Sequence, residues 1–435
     1  MRRWTKKLKE IDRLGWLTVA FCVYAIATQI SMAVMSIAAG VLAFTVVTNL
    51  YLDGRKRFAA AVVFEWSQVL TKVYIFVSLL LCFLIFLSLY AAWVSPIEIA
   101  HTIVTVNWSK DLAKLWYFAW PLVLVLGLRK LGTGQRAWVI YFWIGTMGLL
   151  GIIAVIQHFT SWPYRQTIPN LGILRFHVTL FLGHHLTVAS NLIFPFFAGL
   201  DLLRQKNVTR ASQFPRAVLL LCVLSGLITL FLTYSRMLWI ALPIGILFWI
   251  LIILPKRWAV AMTLLVVLAG AGASQLWVVQ SRFHSDEGYQ PRKWLWEANI
   301  HFFKQRPYIG IGWKKNHELS GPYLIENKKF FWADTVFAGH AHNNMIDFLA
   351  GTGVLGLYSW IGWCLWLVGA LVVVIRRTAR RDDFQIFACG SLAAWVVFQI
   401  NGITQVNFID AKVMHQMMFV VGWTLLWVGQ RDEKV

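Results

Sequence analysis

The sequence predicts an all-α polytopic membrane protein with about twelve transmembrane helices and both termini in the cytoplasm. Three observations carry this. The chain of 435 residues is 59% hydrophobic and only 14% charged, where a soluble domain carries about a quarter charged residues, and its mean hydropathy is +0.63. Long apolar runs recur from end to end, each sufficient to cross the hydrocarbon core as a helix. The 24 tryptophans and 12 tyrosines are abundant, and many lie near run ends, where such rings settle at headgroup level.

Taken in order, the first apolar stretch divides at Gln29 and Ser31 into spans 14–30 and 32–52. Because a second span follows the first at once, no cleavable signal is expected. Residues 58–71 read as an amphipathic surface helix. Spans follow at 72–93, 113–128, 137–157, 178–200, 217–233, 237–254 and 258–280, then at 343–375, 385–402 and 413–429. The run 343–375 exceeds one span, and its first part, through Gly353, reads as a polar-faced entry turn. The chain is read as a single integral membrane domain, 1–435, with one large outer loop at 281–342. The cysteines Cys22, Cys82, Cys222, Cys364 and Cys389 all fall within apolar runs and form no C-x-x-C pair. They read as small buried hydrophobes, not as disulfides or ligands.

Charge sets the expected orientation. The net charge of +21 would suit a nucleic-acid binder, but its placement follows the positive-inside rule instead. An even span count with the N-terminus inside puts 25 of the 40 Lys and Arg in the cytoplasm and 15 outside. Nine of those fifteen lie in the long loop, whose length exempts it from the rule. No nucleic-acid partner is expected; membrane lipids are.

That orientation gathers three features on the outer face. One is the turn "LTYSRM", 232–237, which leaves Arg236 at the edge of a span. An arginine there is costly unless it snorkels or works. The second is the segment 157–177, with Arg165 and Arg175. The third is the long loop, where "YQPRKWLWEANIHFFKQRPYIGIGWKK" reads as a helix lying along the membrane surface. Pro291 suits its start, Arg292 falls in its first turn, Pro307 ends it, and Gly310 and Gly312 permit a tight turn. Lys293, Lys304, Arg306, Lys314 and Lys315 read as a basic surface near anionic headgroups.

The loop closes on "FAGHAHNNMIDFLAGTG", 337–353. His340 and His342 are two apart, so an extended segment would point both the same way. No third or fourth ligand shows a recognisable spacing, so a metal site is not expected. His342 is instead the candidate base, since a neutral imidazole accepts a proton at ambient pH. Asn343 and Asn344 either orient it, bind sugar hydroxyls or cap the following helix, and Asp347 lies one turn later. For His340 an interfacial, structural place is the better reading. His184 and His185, within the sixth apolar run, have no assigned role: they either line a cavity or bond to neighbouring helices.

These motifs carry a family likeness. "SRMLW" at 235–239 opens a span, "RKWLW" and "PYIGIG" lie in the outer loop, and "HAHNNMIDFLAGTGVLGL" closes it. Their order on one face resembles the O-antigen ligase superfamily of bacterial polysaccharide enzymes, by motif over residues 170–360 and by span layout over the whole chain. The resemblance implies a membrane-type (GT-C-like) glycosyltransferase with a large periplasmic loop, in the bacterial inner membrane. The implied donor is a glycan on undecaprenyl pyrophosphate, and the implied acceptor a sugar hydroxyl of lipid A-core. By position, Arg236 and Arg292 match the family's arginines, His342 matches its essential histidine, and Arg175 matches loosely a further basic residue. Asn343, His340 and Asp347 are possible supports. No cofactor is implied.

The chemistry argues in parallel. Undecaprenyl pyrophosphate is already a good leaving group, so the reaction needs fixed positive charge on the departing phosphates. No outward D-x-D occurs; "DD" at 382–383 is cytoplasmic in this reading. Two relatives would use the same donor, an O-antigen polymerase and a protein O-oligosaccharyltransferase. A transporter would instead show ionisable residues at mid-depth in several spans, where this chain has few.

Overall fold

The computed structural model describes residues 2–53, 68–99, 101–163, 176–205, 215–275, 280, 289–330, 336, 338–378, 387–408 and 410–429. Helices coincide with all twelve apolar runs. They are Arg2–Ala27, Met32–Leu52, Val69–Val94, a segmented Trp108–Lys130, Thr133–Thr160, His185–Arg204, Arg216–Leu232, Arg236–Ile253, Lys256–Ser274, Asn344–Thr378, Ala388–Asn401 and Ala411–Gly429. Seven of them are long and apolar enough to cross a membrane by themselves, and three shorter ones are apolar as well. The protein is therefore a multi-pass, all-helical membrane protein. The expected surface helix at 58–71 falls largely outside the described residues; only 68–71 are seen, with Gln68 before and Val69–Thr71 inside Val69–Val94.

The helix Ala411–Gly429 is buried along almost its whole length, packed among Trp120–Lys130, His185–Arg204 and Asn344–Thr378. It carries polar groups that an apolar interior tolerates only when bonded. Trp143 Nε1 donates to Gln416 Oε1 at 2.8 Å, and Gln416 Nε2 donates to Asn191 Oδ1 at 3.1 Å. Asn191 in turn donates to the Thr28 carbonyl at 3.0 Å, and Gln29 to the Trp143 carbonyl at 2.6 Å. Three helices and the turn after Arg2–Ala27 are thus locked in register. Small residues do the same work between Thr133–Thr160 and Arg216–Leu232, where Ser225 Oγ donates to the Gly148 carbonyl at 2.7 Å, a contact made by close backbone approach.

Two departures from the expected span ends matter for the site. The sixth helix does not begin at 178. A 3₁₀ turn, Leu180–Leu182, runs into Gly183 with φ +79, and the helix starts only at His185. His184 and His185 therefore sit at its N-terminal end, not inside a span. The entry turn expected through Gly353 is instead helix from Asn344 onward, with a break at Gly353. Gly353 adopts φ 66, ψ −169 within Asn344–Thr378.

That break receives the "PYIGIG" turn. Ile311 N donates to the Ala350 carbonyl at 3.0 Å and Gly312 N to that of Gly351 at 3.1 Å. From the other side, Val354 N donates to the Pro307 carbonyl at 2.8 Å and Leu355 N to that of Tyr308 at 3.2 Å. The two glycine motifs are one backbone-to-backbone clasp. A Cβ on Gly353 would lie 2.3 Å from the Tyr308 carbonyl carbon, and one on Gly310 (φ +70) 2.4 Å from Gly351. Gly353→Ala is therefore expected to cost about 3 kcal/mol or more, from left-handed strain plus overpacking. Gly351→Ala, whose Cβ would meet ordinary contacts at 3.4–3.5 Å, serves as the control. Thermal unfolding of both purified variants checks this: equal melting temperatures would contradict the clasp.

The long loop folds onto the bundle through this clasp. Helix Tyr289–Gln305 buries Pro291, Leu295, Ala298, Asn299 and Phe302, one stripe at helical spacing, against Asn344–Thr378. A small second core forms beneath it from Ala92, Ile99, Val104, Ala298, Phe302, Ile311, Leu319 and Ala350. Ile99 lies in, and Val104 directly after, an antiparallel hairpin, Glu98–Ile99 with Thr102–Ile103, that the sequence reading did not foresee. A short helix, Asn316–Glu326, was likewise unforeseen.

The basic residues of this loop are not one surface. Lys293 and Lys304 are exposed, but Arg306 bonds the carbonyls of Ala91 and Ser95 and so caps helix Val69–Val94. Lys315 is 1% exposed and ion-paired with Asp111 at 2.8 Å and Glu318 at 3.0 Å. The headgroup reading fails for these two because the loop folds down onto the bundle.

Candidate active site

Each motif puts its charged residue in a defined place. In "SRMLW", Ser235 caps the helix Arg236–Ile253 by accepting from Leu238 N at 3.4 Å. Tyr234 before it takes φ 54, and Trp239 Nε1 ties back to the Phe231 carbonyl at 3.0 Å. Arg236 is thus the first helical residue, half-buried at the helix end. Arg292 occupies the first turn of Tyr289–Gln305, where Pro291 is buried. The neighbouring Trp296 Nε1 donates to the Ala341 carbonyl at 2.8 Å, which fastens this helix to the histidine segment.

His342 stands at φ 48, a left-handed backbone that a histidine adopts only when its surroundings hold it. Three contacts do so. Its own N–H donates to His340 Nδ1 at 3.2 Å. Ala341 N donates to Asp347 Oδ1 at 3.2 Å, and that same oxygen accepts from Asn316 Nδ2 at 2.7 Å. The third contact is at the ring, where His342 Nδ1 lies 3.1 Å from Gln405 Oε1. With an amide oxygen facing it, Nδ1 carries the proton and Nε2 is left as the acceptor.

Arg236, Arg292 and His342 converge electrostatically. Burial first, then the adjacent Arg236, lowers the pKa of Arg292, although a guanidinium stays charged. Burial pushes His342 down to about 3, with His340 and then Arg292 as further causes. His340, whose ring is 4.1 Å from that of His342, is pushed down to about 4, again mainly by burial. Both imidazoles are therefore neutral at physiological pH, beside two fixed positive charges. Arg175 lies outside the described residues.

The remaining sequence candidates are supports. Asn343 Oδ1 accepts from Ile346 N at 3.1 Å and so caps the helix, while its amide donates to the Ile403 carbonyl at 3.0 Å. Asn344 is buried and bonded both ways to Asn407, at 2.6 and 3.1 Å. Together they fix the segment 402–408, which delivers Gln405. Asp347 is 2% exposed and braces Ala341.

Several neighbours escaped the sequence reading. His184 Nδ1 accepts from Leu186 N at 3.2 Å, its ring stacks on His185 at 4.6 Å, and His185 stacks on His177 at 4.2 Å. His184 is also near enough to lower the pKa of both His340 and His342. Nothing local in the sequence joins these residues to 340–342. Gln405 is 63 residues from its partner and follows an apolar run without any motif of its own. Among the described residues, no three His, Cys, Asp or Glu side chains are grouped so as to hold a metal.

Comparison with known proteins gives one result that bears on this site. Residues 220–361 match the sequence model of a family described as O-antigen ligase. The matched stretch contains Arg236, Arg292 and His342 and both halves of the glycine clasp. No curated protein matches the chain.

Proposed function

We propose, for a chain that residues 220–361 make a member of the O-antigen ligase superfamily, that it transfers a glycan from undecaprenyl pyrophosphate to a sugar hydroxyl of lipid A-core. The observation that carries this reading is the juxtaposition of two half-buried arginines with a neutral, oriented histidine at one end of the bundle. In the orientation read from charge, that end faces the periplasm of an inner-membrane protein.

Arg236 and Arg292 hold the pyrophosphate, matching its developing negative charge as the bond breaks. Their mutual repulsion in the free protein favours an anion between them. The acceptor O–H loses its proton to His342 Nε2 while its oxygen attacks the anomeric carbon. The bond from that carbon to the phosphate oxygen breaks, and its electron pair leaves with undecaprenyl pyrophosphate. Attack opposite the leaving group inverts the anomeric centre. The polar segment at the entrance to Asn344–Thr378 is explained: it supplies the base and the braces that aim it.

A pH profile tests the base. A group held neutral down to about pH 3 loses no function as pH falls through 6.5. The expected kcat/KM for donor, which reports the free enzyme, is flat from pH 8 to about 5. Bound pyrophosphate places negative charge beside Arg292 and raises the imidazole pKa, so kcat acquires an acid limb that kcat/KM lacks. An acid limb near 6.5 in kcat/KM would show a solvated imidazole and contradict the buried site.

The polymerase reading shares this family, donor and arginines. A lipopolysaccharide gel on the deletion strain separates the two. Bare core with glycan accumulating on its lipid carrier supports the ligase; core capped by a single repeat unit supports the polymerase. An unchanged ladder argues for a protein O-oligosaccharyltransferase or a transporter.

A further inference from the structure

A cavity of about 450 Å³ opens beside His340 and Gln405, with Lys110, Asp111, Lys114 and Lys314 in its wall. It lies one contact from His342, which is bonded to Gln405 and packed on His340. Neither Arg236 nor Arg292 borders it. The volume is within the roughly 300–1,000 Å³ usual for ligand pockets.

Three lysines from two separate segments line this space. Lys110 and Lys114 belong to the segment leading into Trp120–Lys130, and Lys314 to the turn after the glycine clasp. Three carboxylates share the wall, Asp111, Glu318 and Asp410, each with a partner of its own, and Asp410 also attracts Lys114. Asp111 and Glu318 are both ion-paired with Lys315. Asp410 accepts from the Thr187 hydroxyl at 2.7 Å and from Lys412 N at 3.0 Å. Among the described residues, neither Lys110 nor Lys314 has a carboxylate within ion-pair distance. Lys314 is held in place by a left-handed backbone, φ 61, with its ammonium 5.4 Å from the centroid of the Trp313 ring. Burial and the nearby Lys114 push it down to about 7, against the weaker pull of Asp111 and Asp347, so an added anion would favour its charged form.

We propose that this cavity receives a phosphoryl group carried by the acceptor, bound by Lys314 with Lys110 and Lys114. A phosphoryl group brings close to two negative charges and three acceptor oxygens, which suits three lysines lining one cavity better than a single carboxylate does. The assignment to the acceptor rests on the function proposed above. If the arginine side of His342 holds the donor pyrophosphate, the Gln405 side is left for the acceptor. A phosphate anchored there holds the acceptor so that a hydroxyl farther along it reaches past the Gln405-bonded edge to His342 Nε2.

The test uses the purified full-length chain in lipid vesicles with its lipid-linked donor. Two acceptors are compared: lipid A-core with its phosphates, and the same molecule after phosphatase treatment. Lys314→Asn removes the charge with a residue that tolerates left-handed backbone, and Lys110→Gln alters an exposed position. Lys314→Asn is expected to raise KM for the phosphorylated acceptor roughly tenfold, as for loss of one charge-assisted contact. Lys110→Gln is expected to raise it less, and it decides the matter if Lys314→Asn does not accumulate. The donor KM stays at the parent value, and the dephosphorylated acceptor responds to neither substitution. Unchanged acceptor KM, a shifted donor KM, or equal sensitivity with the dephosphorylated acceptor would each overturn the proposal. If the parent transfers nothing to either acceptor, the proposed function falls too; if the parent is active and the variants are indifferent, only this site falls.

Discussion

His342→Ala is expected to abolish measurable transfer while leaving donor binding close to that of the parent. The histidine contributes proton acceptance, worth roughly 10²–10⁴-fold for a positioned base, and carries no charge on which the pyrophosphate depends. Its backbone sits at φ 48, a strained place for alanine as well, so His342→Asn is the better partner variant: it tolerates that conformation without supplying a base. Single-turnover transfer and equilibrium binding of the lipid-linked donor, measured on the same vesicles, separate the two effects. Loss of donor binding along with transfer would mean that the residue is structural or belongs to the anion site.

The arginines are expected to behave in the opposite way. Arg292→Ala should lower kcat/KM by roughly 10²–10³-fold, the scale for removing one preorganised donor from developing negative charge. Arg292→Lys should recover little, because an ammonium cannot make the planar, two-point contact of a guanidinium. Arg236→Ala should act in the same direction, and the double variant should lose less than the product of the single losses, since either single substitution already removes the repulsion between the two that an anion relieves. Strict additivity between the two, measured in a double-mutant cycle, would mean that they bind separate groups.

What the sequence revealed of this arrangement follows from the range of each interaction. The helices were legible because an apolar run of sufficient length has few alternatives in a membrane, and helices stand at every run. Arg236 and His342 were legible as polar residues at run edges, whereas Arg292, inside the long loop, was singled out by the family resemblance. Their supports were legible only in part. Asn343 as a cap is a local signal and is seen. Gln405, His184 and the Asn344–Asn407 bond are long-range pairings that no local pattern encodes. The glycines 310, 312 and 353 were each read as turns or breaks; that they meet in a single clasp depends on tertiary packing. The sixth helix was begun too early, at 178, because apolarity alone does not register the stop at Gly183. Arg306 and Lys315 were read as surface charges because sequence shows charge but not the carbonyls of Ala91 and Ser95 or the carboxylate of Asp111 beneath them.

The central claim is that the Arg236–Arg292–His342 cluster moves a glycan off a pyrophosphate lipid. Its most direct test is reconstitution of the purified chain with undecaprenyl-pyrophosphate-linked glycan and lipid A-core, following both products by mass spectrometry. The expected result is equal amounts of glycan-extended lipid A-core and free undecaprenyl pyrophosphate from the parent, and neither from His342→Asn. Undiminished turnover by His342→Asn, or an active parent whose glycan goes to another acceptor, would contradict the account.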